Sequence, residues 1–147
     1  MVLKDIVWYL AGKMSGIPQF NFPLFDKVTT TLRERGWKVV SPAELDEPEV
    51  REQALASEYG DPQNERDQLH DMTWGDFLSR DVKIVADEVG GLILLPGWEG
   101  SRGARLEAFV GILCKHKFKE VDPDFDCTLY DVSDEYVEDK IIKGERK

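Results

Sequence analysis

Residues 92–107 read Leu92-Ile93-Leu94-Leu95-Pro96-Gly97-Trp98-Glu99-Gly100-Ser101-Arg102-Gly103-Ala104-Arg105-Leu106-Glu107. The apolar start of this stretch predicts a buried strand, its glycines predict a loop, and its end predicts a helix that runs from about Arg102 to Lys115. Such junctions often bind ligands in α/β proteins, because loop amides and the helix N-terminus converge at the carboxyl end of the strand. Glu107 lies just inside the helix.

Strands and helices also alternate before this stretch. Residues 6–11 and residues 37–40 are short apolar runs that predict buried strands, and we expect the first of them to be the central strand. Between them, apolar residues at helical spacing predict a helix that Asn21 caps and Gly36 ends. The short connection favours parallel pairing of the two strands.

The remaining pattern completes the predicted fold. An acidic, proline-containing segment at about residues 44–72 interrupts the alternation and predicts a long surface insertion. Residues 118–121 and 127–131 predict two further strands, and Ser133 begins a last helix. We expect residues 1–147 to form one domain with a three-layer α/β fold and a mainly parallel sheet of four or five strands.

The composition excludes several classes of protein. With 29 acidic and 19 basic residues the net charge is −10, which repels nucleic acids and anionic membranes. No apolar run approaches the roughly 20 residues of a membrane span, and we expect a soluble, cytoplasmic protein. Cys114 and Cys127 form no disulfide framework, and His70 and His116 lack metal-ligand spacing. We therefore expect no resident metal and no cofactor.

Two carboxylates fall on helix faces that we expect to be buried. The helix that begins at Thr73 runs to about Glu88, and Asp76 completes a capping box at its start. Asp81 lies on or beside the apolar stripe of this helix, where an isolated carboxylate is costly. The neighbours of Glu107 one turn away are small: Ala104, Ala108 and Gly111. Small side chains let a helix approach a sheet closely and leave room above Glu107.

Purely structural roles remain open for these groups. Asp81 could pair with Arg80 or Lys83, and Glu107 could lie on a solvated face beside Arg105 or Lys115. Tyr9, inside the first strand, could be a core residue with a satisfied hydroxyl. The first loop, residues 12–16, has the glycines, hydroxyl and cation that suit a phosphate or a sugar, but it is not a Walker loop.

Four segments resemble one family when they are taken together and in order. They are Tyr9-Leu10-Ala11-Gly12-Lys13-Met14-Ser15-Gly16, Phe20-Asn21-Phe22-Pro23, Arg80-Asp81, and Leu95-Pro96-Gly97-Trp98-Glu99 with Ser101-Arg102-Gly103-Ala104 and Glu107. Over about residues 5–115 the chain resembles the nucleoside 2-deoxyribosyltransferase-like superfamily, in particular its phage- and prophage-rich branch. It is similar to the deoxynucleoside 5′-monophosphate N-glycosidases of that superfamily. The resemblance implies a flavodoxin-like or Rossmann-like sheet.

The resemblance also implies a role for each residue of the site. Glu107 attacks the anomeric carbon, Asp81 handles the proton at the base or the incoming nucleophile, and Tyr9 orients Glu107. We expect substrate contacts from the two loops, at Gly12, Lys13, Met14, Ser15, Gly16, Gly97, Trp98, Ser101, Arg102 and Gly103. The implied setting is the cytoplasm of a bacterial host, with a homodimer or larger assembly and a small-molecule nucleotide or nucleoside as partner.

The favoured hypothesis is an N-glycosidase that releases the base from a deoxynucleoside 5′-monophosphate. A nucleoside deoxyribosyltransferase, a binding protein that sequesters a nucleotide derivative without turnover, and a small oligomeric interaction module remain alternatives. The chain has Ser101-Arg102-Gly103-Ala104 where the better-studied enzymes have Asp-X-Gly-Thr, and Phe109 where they have glycine. Because of these departures, the acceptor of the sugar remains open: it could be water or another base, or there could be no acceptor because no reaction takes place.

Overall fold

The structure, a computed structural model, describes residues 5–61 and 73–145. Within these residues the chain forms a five-stranded sheet with the strand order β2-β1-β3-β4-β5. The strands are β1 (Val7–Ala11), β2 (Lys38–Val40), β3 (Gly91–Leu94), β4 (Lys117–Asp122) and β5 (Thr128–Val132). The first four are parallel, and β5 runs antiparallel to β4. The predicted three-layer, Rossmann-like α/β fold is confirmed.

Helices cover both faces of the sheet. They are α1 (Phe22–Glu34), α2 (Pro48–Leu55), α3 (Trp74–Asp87), α4 (Arg102–Leu113) and α5 (Asp134–Glu145). Apolar side chains of α1 and α2 join one core cluster, and those of α3, α4 and α5 join a second cluster on the opposite face. No helix in the described part of the chain is long and apolar enough to cross a membrane.

The alternation of side chains along β1 decides which of its residues face the site. Trp8 and Leu10 belong to the cluster under α1, whereas Tyr9 and Ala11 belong to the cluster under α3 and α4. Because both faces are covered, all four residues are fully buried, which explains the unbroken apolar run in the sequence. Tyr9 therefore points into the layer that carries Asp81 and Glu107.

The prediction that β1 is the central strand is wrong. β3 is central, with β1 on one side and β4 on the other. Both β1 and β3 are covered on their two faces, so both read as continuous apolar runs. Strand order depends on the side of the sheet to which each crossover returns, and local sequence carries no signal for that.

The predicted capping role of Asn21 is also wrong. Asn21 has a left-handed backbone (φ 62°), as do Gln19 and Phe20 before it, and its side chain makes no capping hydrogen bond. Its side-chain amide instead donates to the carbonyl of Lys13, 2.9 Å away. Asn21 therefore ties the start of α1 to the first loop. By contrast, Thr73 and Asp76 form the predicted capping box of α3.

The described part of the predicted insertion is packed against the domain. A 3-10 turn at Pro42–Glu44 and helix α2 follow β2, and Ala43, Val50 and Ala54 are buried. Ala43 and Ala54 join the cluster under α1. This segment therefore contributes to the core through the 3-10 turn and α2, whereas residues 62–72 of the predicted insertion lie outside the described residues.

Candidate functional site

Close packing of α4 on the sheet brings Glu107 to β1. A Cβ atom added at Gly111 would lie 2.7 Å from Leu92 Cδ1 and 3.0 Å from Phe118 Cζ, so only glycine permits this approach. Ala104 and Ala108, which are also buried, continue the small-residue face of α4. The predicted function of these small residues, to let the helix lie close to the sheet, is confirmed.

Glu107 is buried and hydrogen-bonded to Tyr9. The Tyr9 hydroxyl donates to Glu107 Oε2 over 2.6 Å, and the two residues are 0% and 6% exposed, respectively. The alternative of a solvated Glu107 paired with Arg105 is therefore wrong. Arg105 is itself buried and donates to the carbonyl of Glu99. The hydroxyl of Tyr9 thus has a hydrogen-bond partner, as expected if Tyr9 were simply a core residue, but that partner is the carboxyl group of Glu107.

Asp81 lies beside this pair and is held by Arg80. The Nε of Arg80 donates to Asp81 Oδ1 over 2.9 Å, so the pairing that the sequence left open is the one to Arg80. Lys83 instead pairs with Asp87, one turn along α3. The charge of Asp81 raises the pKa values of both Tyr9 and Glu107, which places the three groups in one electrostatic unit.

Arg80 also contacts a residue that the sequence did not single out. Its Nη1 donates to Asp46 Oδ1 over 2.6 Å, and the Asp46 side chain is only 4% exposed. Asp46 follows the 3-10 turn after β2, and thus comes from the acidic segment. One guanidinium accordingly bridges two carboxylates from distant parts of the chain.

Burial and mutual repulsion raise the pKa values of the carboxyl groups. Desolvation, followed by the charge of Asp81, raises the pKa of Glu107 to about 8 from its ordinary value of 4.5, and the hydrogen bond from Tyr9 opposes the rise. Burial also raises the pKa of Asp81, while Arg80 lowers it. Burial and the charge of Glu107 raise the pKa of the Tyr9 phenol. Near neutral pH, the Glu107 carboxyl therefore retains its proton.

The first loop, between β1 and the turn before α1, is held by backbone contacts. Gly12 packs so closely on Leu95 that an added Cβ would lie 2.7 Å from its Cδ1. Gly16 has φ 84° and donates its N–H to the carbonyl of Gly60. Met14 packs against the cluster under α1. The side chains left nearer the surface are those of Lys13, half-buried, and Ser15, exposed.

The second loop, between β3 and α4, combines an open turn with a buried anchor. Gly97 has φ 79° and nothing within 4 Å of an added Cβ. Trp98 is completely buried, and its indole N–H donates to Glu120 Oε2, so its side chain belongs to the core. Ser101 caps α4 by accepting from the N–H of Ala104. Arg102 is exposed and Gly103 is half-buried at the start of the same helix.

The two loops open at the same edge of the sheet. β1 and β3 are parallel neighbours, and Ala11 pairs with Leu94 at their carboxyl ends. In the described residues 5–61 and 73–145, no group of three His, Cys, Asp or Glu side chains is arranged to hold a metal ion. The chemically distinctive groups of the site are the Tyr9 phenol, the carboxyl groups of Glu107 and Asp81 and the Arg80 guanidinium, which lie between the sheet and helices α3 and α4.

Comparison with known proteins gives one match. A family model described as a domain of unknown function, DUF4406, matches residues 6–61, which carry Tyr9, the first loop and Asp46 but not Asp81 or Glu107. No curated protein and no solved structure matches the chain. The match therefore indicates similarity to that family over β1, α1, β2 and α2.

Proposed function

We propose that the protein is an N-glycosidase that cleaves the bond between base and sugar in a deoxynucleoside 5′-monophosphate. The observation that carries this proposal is the buried hydrogen bond from Tyr9 to Glu107, with Asp81 beside it, in the layer between the sheet and helices α3 and α4. Displacement at an anomeric carbon requires one ionised carboxylate and one proton-transfer group close together. Two carboxyl groups in different surroundings can divide these tasks.

Glu107 supplies the nucleophile in this mechanism. Its Oε2 accepts the hydrogen bond from Tyr9, which leaves Oε1 to attack the anomeric carbon. As the carbon–oxygen bond forms, the carbon–nitrogen bond breaks and its electron pair stays on the base, which takes a proton from Asp81. Water then attacks the anomeric carbon of the ester and gives a proton to Asp81, which frees the Glu107 carboxylate. The products are the free base and deoxyribose 5-phosphate.

The reactive form carries its proton on Asp81 and its charge on Glu107. The hydrogen bond from Tyr9 to Glu107 favours this form, whereas Arg80 and, more weakly, Tyr9 itself oppose it by favouring the charge on Asp81. At low pH both carboxyl groups are protonated and no nucleophile is present. Above about pH 8, where Glu107 is also ionised, the pair has lost the proton that the leaving base needs. We therefore expect a bell-shaped profile of kcat/KM with its upper limb near pH 8.

The loops support a phosphate on the substrate. Lys13 and Ser15 leave β1 at the same edge of the sheet where Ser101 and Arg102 begin α4. Backbone N–H groups at the start of a helix attract anions, and a nearby lysine or arginine strengthens that attraction. These groups support a 5′-phosphate in spite of the overall negative charge, because a nucleoside without phosphate has no need of them.

Base release from single nucleotides tests the proposal. The purified protein is incubated with each common nucleoside and deoxynucleoside 5′-monophosphate, and the free base is measured by chromatography. Glu107→Gln should lower base release at least about a hundredfold while ligand affinity, measured by calorimetry, changes little. Glu34→Gln, on the exposed side of α1, is the matched control and should behave as the wild type.

The other outcomes separate the alternatives. If no substrate yields free base, the N-glycosidase proposal is wrong. Tight nucleotide binding without any product would then favour a sequestering protein. Product that forms only when a second base is added would favour a deoxyribosyltransferase.

A further inference from the structure

The Arg80 guanidinium is shared between two carboxylates, and only Asp81 has a role in the reaction described above. The distances from Arg80 are 2.6 Å to Asp46 and 2.9 Å to Asp81, so the contact to Asp46 is the shorter one. Asp46 is also the more deeply buried of the two, with its side chain 4% exposed against 14%. A buried carboxylate costs stability unless it is paired. Arg80 already has an ion-pair partner in Asp81, so neutralising Arg80 does not by itself explain why Asp46 is buried there.

The segment that carries Asp46 is firmly braced. Arg33 donates to both carboxyl oxygens of Glu44, at 2.9 and 2.7 Å. Arg51 donates to the carbonyl of Ala43, and Ser41 accepts from the N–H of Ala43 to cap the 3-10 turn. These contacts hold the backbone just before Asp46, so the carboxylate meets Arg80 from a fixed position.

We propose that Asp46 is a positioning residue that acts through Arg80 on the orientation and proton occupancy of Asp81. The inference rests on the proposed function, because Asp81 is there the proton donor. If Asp81 were the only partner of Arg80, the guanidinium would stabilise the ionised form of Asp81, and the proton would stay on Glu107. Asp46 draws the guanidinium toward itself and adds a second negative charge, and both effects favour a proton on Asp81.

The charged groups around Asp81 support this direction. They come from every packed element: Arg80 from α3, Asp46 from the segment after β2, Tyr9 from β1 and Glu107 from α4. Burial raises the pKa of Asp81 most, Arg80 lowers it through its charge and hydrogen bond, and the charge of Asp46 raises it. Removing the charge of Asp46 while keeping its hydrogen bond should therefore lower the pKa of Asp81.

Asp46→Asn makes that change, since the amide oxygen still accepts from Arg80. Carboxyl carbons are followed by NMR against pH in protein labelled at aspartate, and the Asp81 signal is identified by its absence in Asp81→Asn. Asp46→Asn should shift the Asp81 titration to lower pH. Glu47→Gln is the matched control, because it removes an exposed charge from the residue next to Asp46 without touching the contacts that brace the segment, and it should leave the titration unchanged. An Asp81 titration that is the same in Asp46→Asn and the wild type would overturn the proposal.

Kinetics supply a second readout. Asp46→Ala removes both the charge and the anchor of Arg80, so kcat should fall about 10- to 100-fold with KM little changed, as expected when a catalytic group is misplaced. Asp46→Asn should recover part of that loss, and Glu47→Gln should have no effect. Equal rates in Asp46→Ala and the wild type would contradict the positioning role. If the wild type releases no base at all, the proposed function fails, while the NMR titration still decides whether Asp46 controls Asp81.

Discussion

Relative to the wild type, Glu107→Gln should become increasingly stable as the pH rises, because the wild type loses stability when Glu107 ionises. Burial raises the pKa of Glu107 from 4.5 to about 8, so the folded protein holds this proton more tightly than the unfolded chain does. The resulting stability is fully present below pH 4.5 and is lost as the pH rises toward 8, where ionisation leaves a charge inside the protein. Glutamine keeps the shape and can still accept the hydrogen bond from Tyr9, but it has no proton to lose.

The magnitude follows from the interval between the two pKa values. At about 1.4 kcal/mol per pH unit, the interval from 4.5 to about 8 corresponds to about 5 kcal/mol. That amount is a large fraction of the roughly 5 to 15 kcal/mol by which domains of this kind are stable. The free energy of unfolding of Glu107→Gln, relative to the wild type, should therefore increase by about 5 kcal/mol across this pH range.

Urea unfolding at pH values from 5 to 9 measures this difference. Trp8 and Trp98 are completely buried and report the transition by fluorescence. Glu34→Gln, an exposed substitution of the same kind, corrects for the general effect of lost charge. If the unfolding free energies of Glu107→Gln and the wild type stay parallel from pH 5 to 9, then Glu107 is not a buried acid with a raised pKa, and the reasoning is refuted.

Two further substitutions test the site and its support. Tyr9→Phe removes a hydrogen bond that lowers the pKa of Glu107, so the upper limb of the kcat/KM profile should move to higher pH. A charged hydrogen bond is worth about 1.5 to 3 kcal/mol, so the maximal rate should also fall about tenfold or more, and an unmoved limb would argue against the assigned contact. Gly60→Ala places a Cβ 1.9 Å from the carbonyl oxygen of Ile17 at φ 65°, and should cost about 2 kcal/mol in urea unfolding. Gly75→Ala lies in the first turn of α3 with no nonadjacent neighbour nearer than 3.7 Å, so it should leave stability unchanged or raise it by up to about 1 kcal/mol, and equal losses for both glycines would contradict the predicted clash.

The local elements of the fold could be predicted because their signals are short-range. Thr73 and Asp76 are three residues apart, and the capping box they form depends on that spacing alone. The alternation of strands and helices likewise identified all five strands and the three layers. The predicted capping role of Asn21 was wrong because its side-chain amide donates to the carbonyl of Lys13, and its side-chain oxygen does not accept from an N–H of α1. That choice depends on the left-handed turn before the helix, for which the residue types give only a weak preference.

The candidate site could be predicted only in part. Asp81 and Glu107 stood out because each is a carboxylate on a helix face that was expected to be buried, and the family resemblance added Tyr9. The structure brings the three together. Asp46 did not stand out, because it is one carboxylate among many in an acidic segment. Its contact with Arg80 spans 34 residues of sequence, and a contact at that separation produces no periodic pattern of residue types in the sequence.

Sequence alone therefore predicted the five strands and helices α1, α3, α4 and α5, although not helix α2, and it identified two carboxylates that are out of place on helix faces, because these features follow from patterns within one or two turns. The order of the strands, the antiparallel β5 and the sharing of Arg80 between Asp46 and Asp81 were decided only in the tertiary structure. The physical reason is that burial and electrostatic coupling act between groups that are distant along the chain. The pKa of Glu107 is the clearest case, since it depends on the packing of α4, β1 and α3, which carry Glu107, Tyr9 and Asp81.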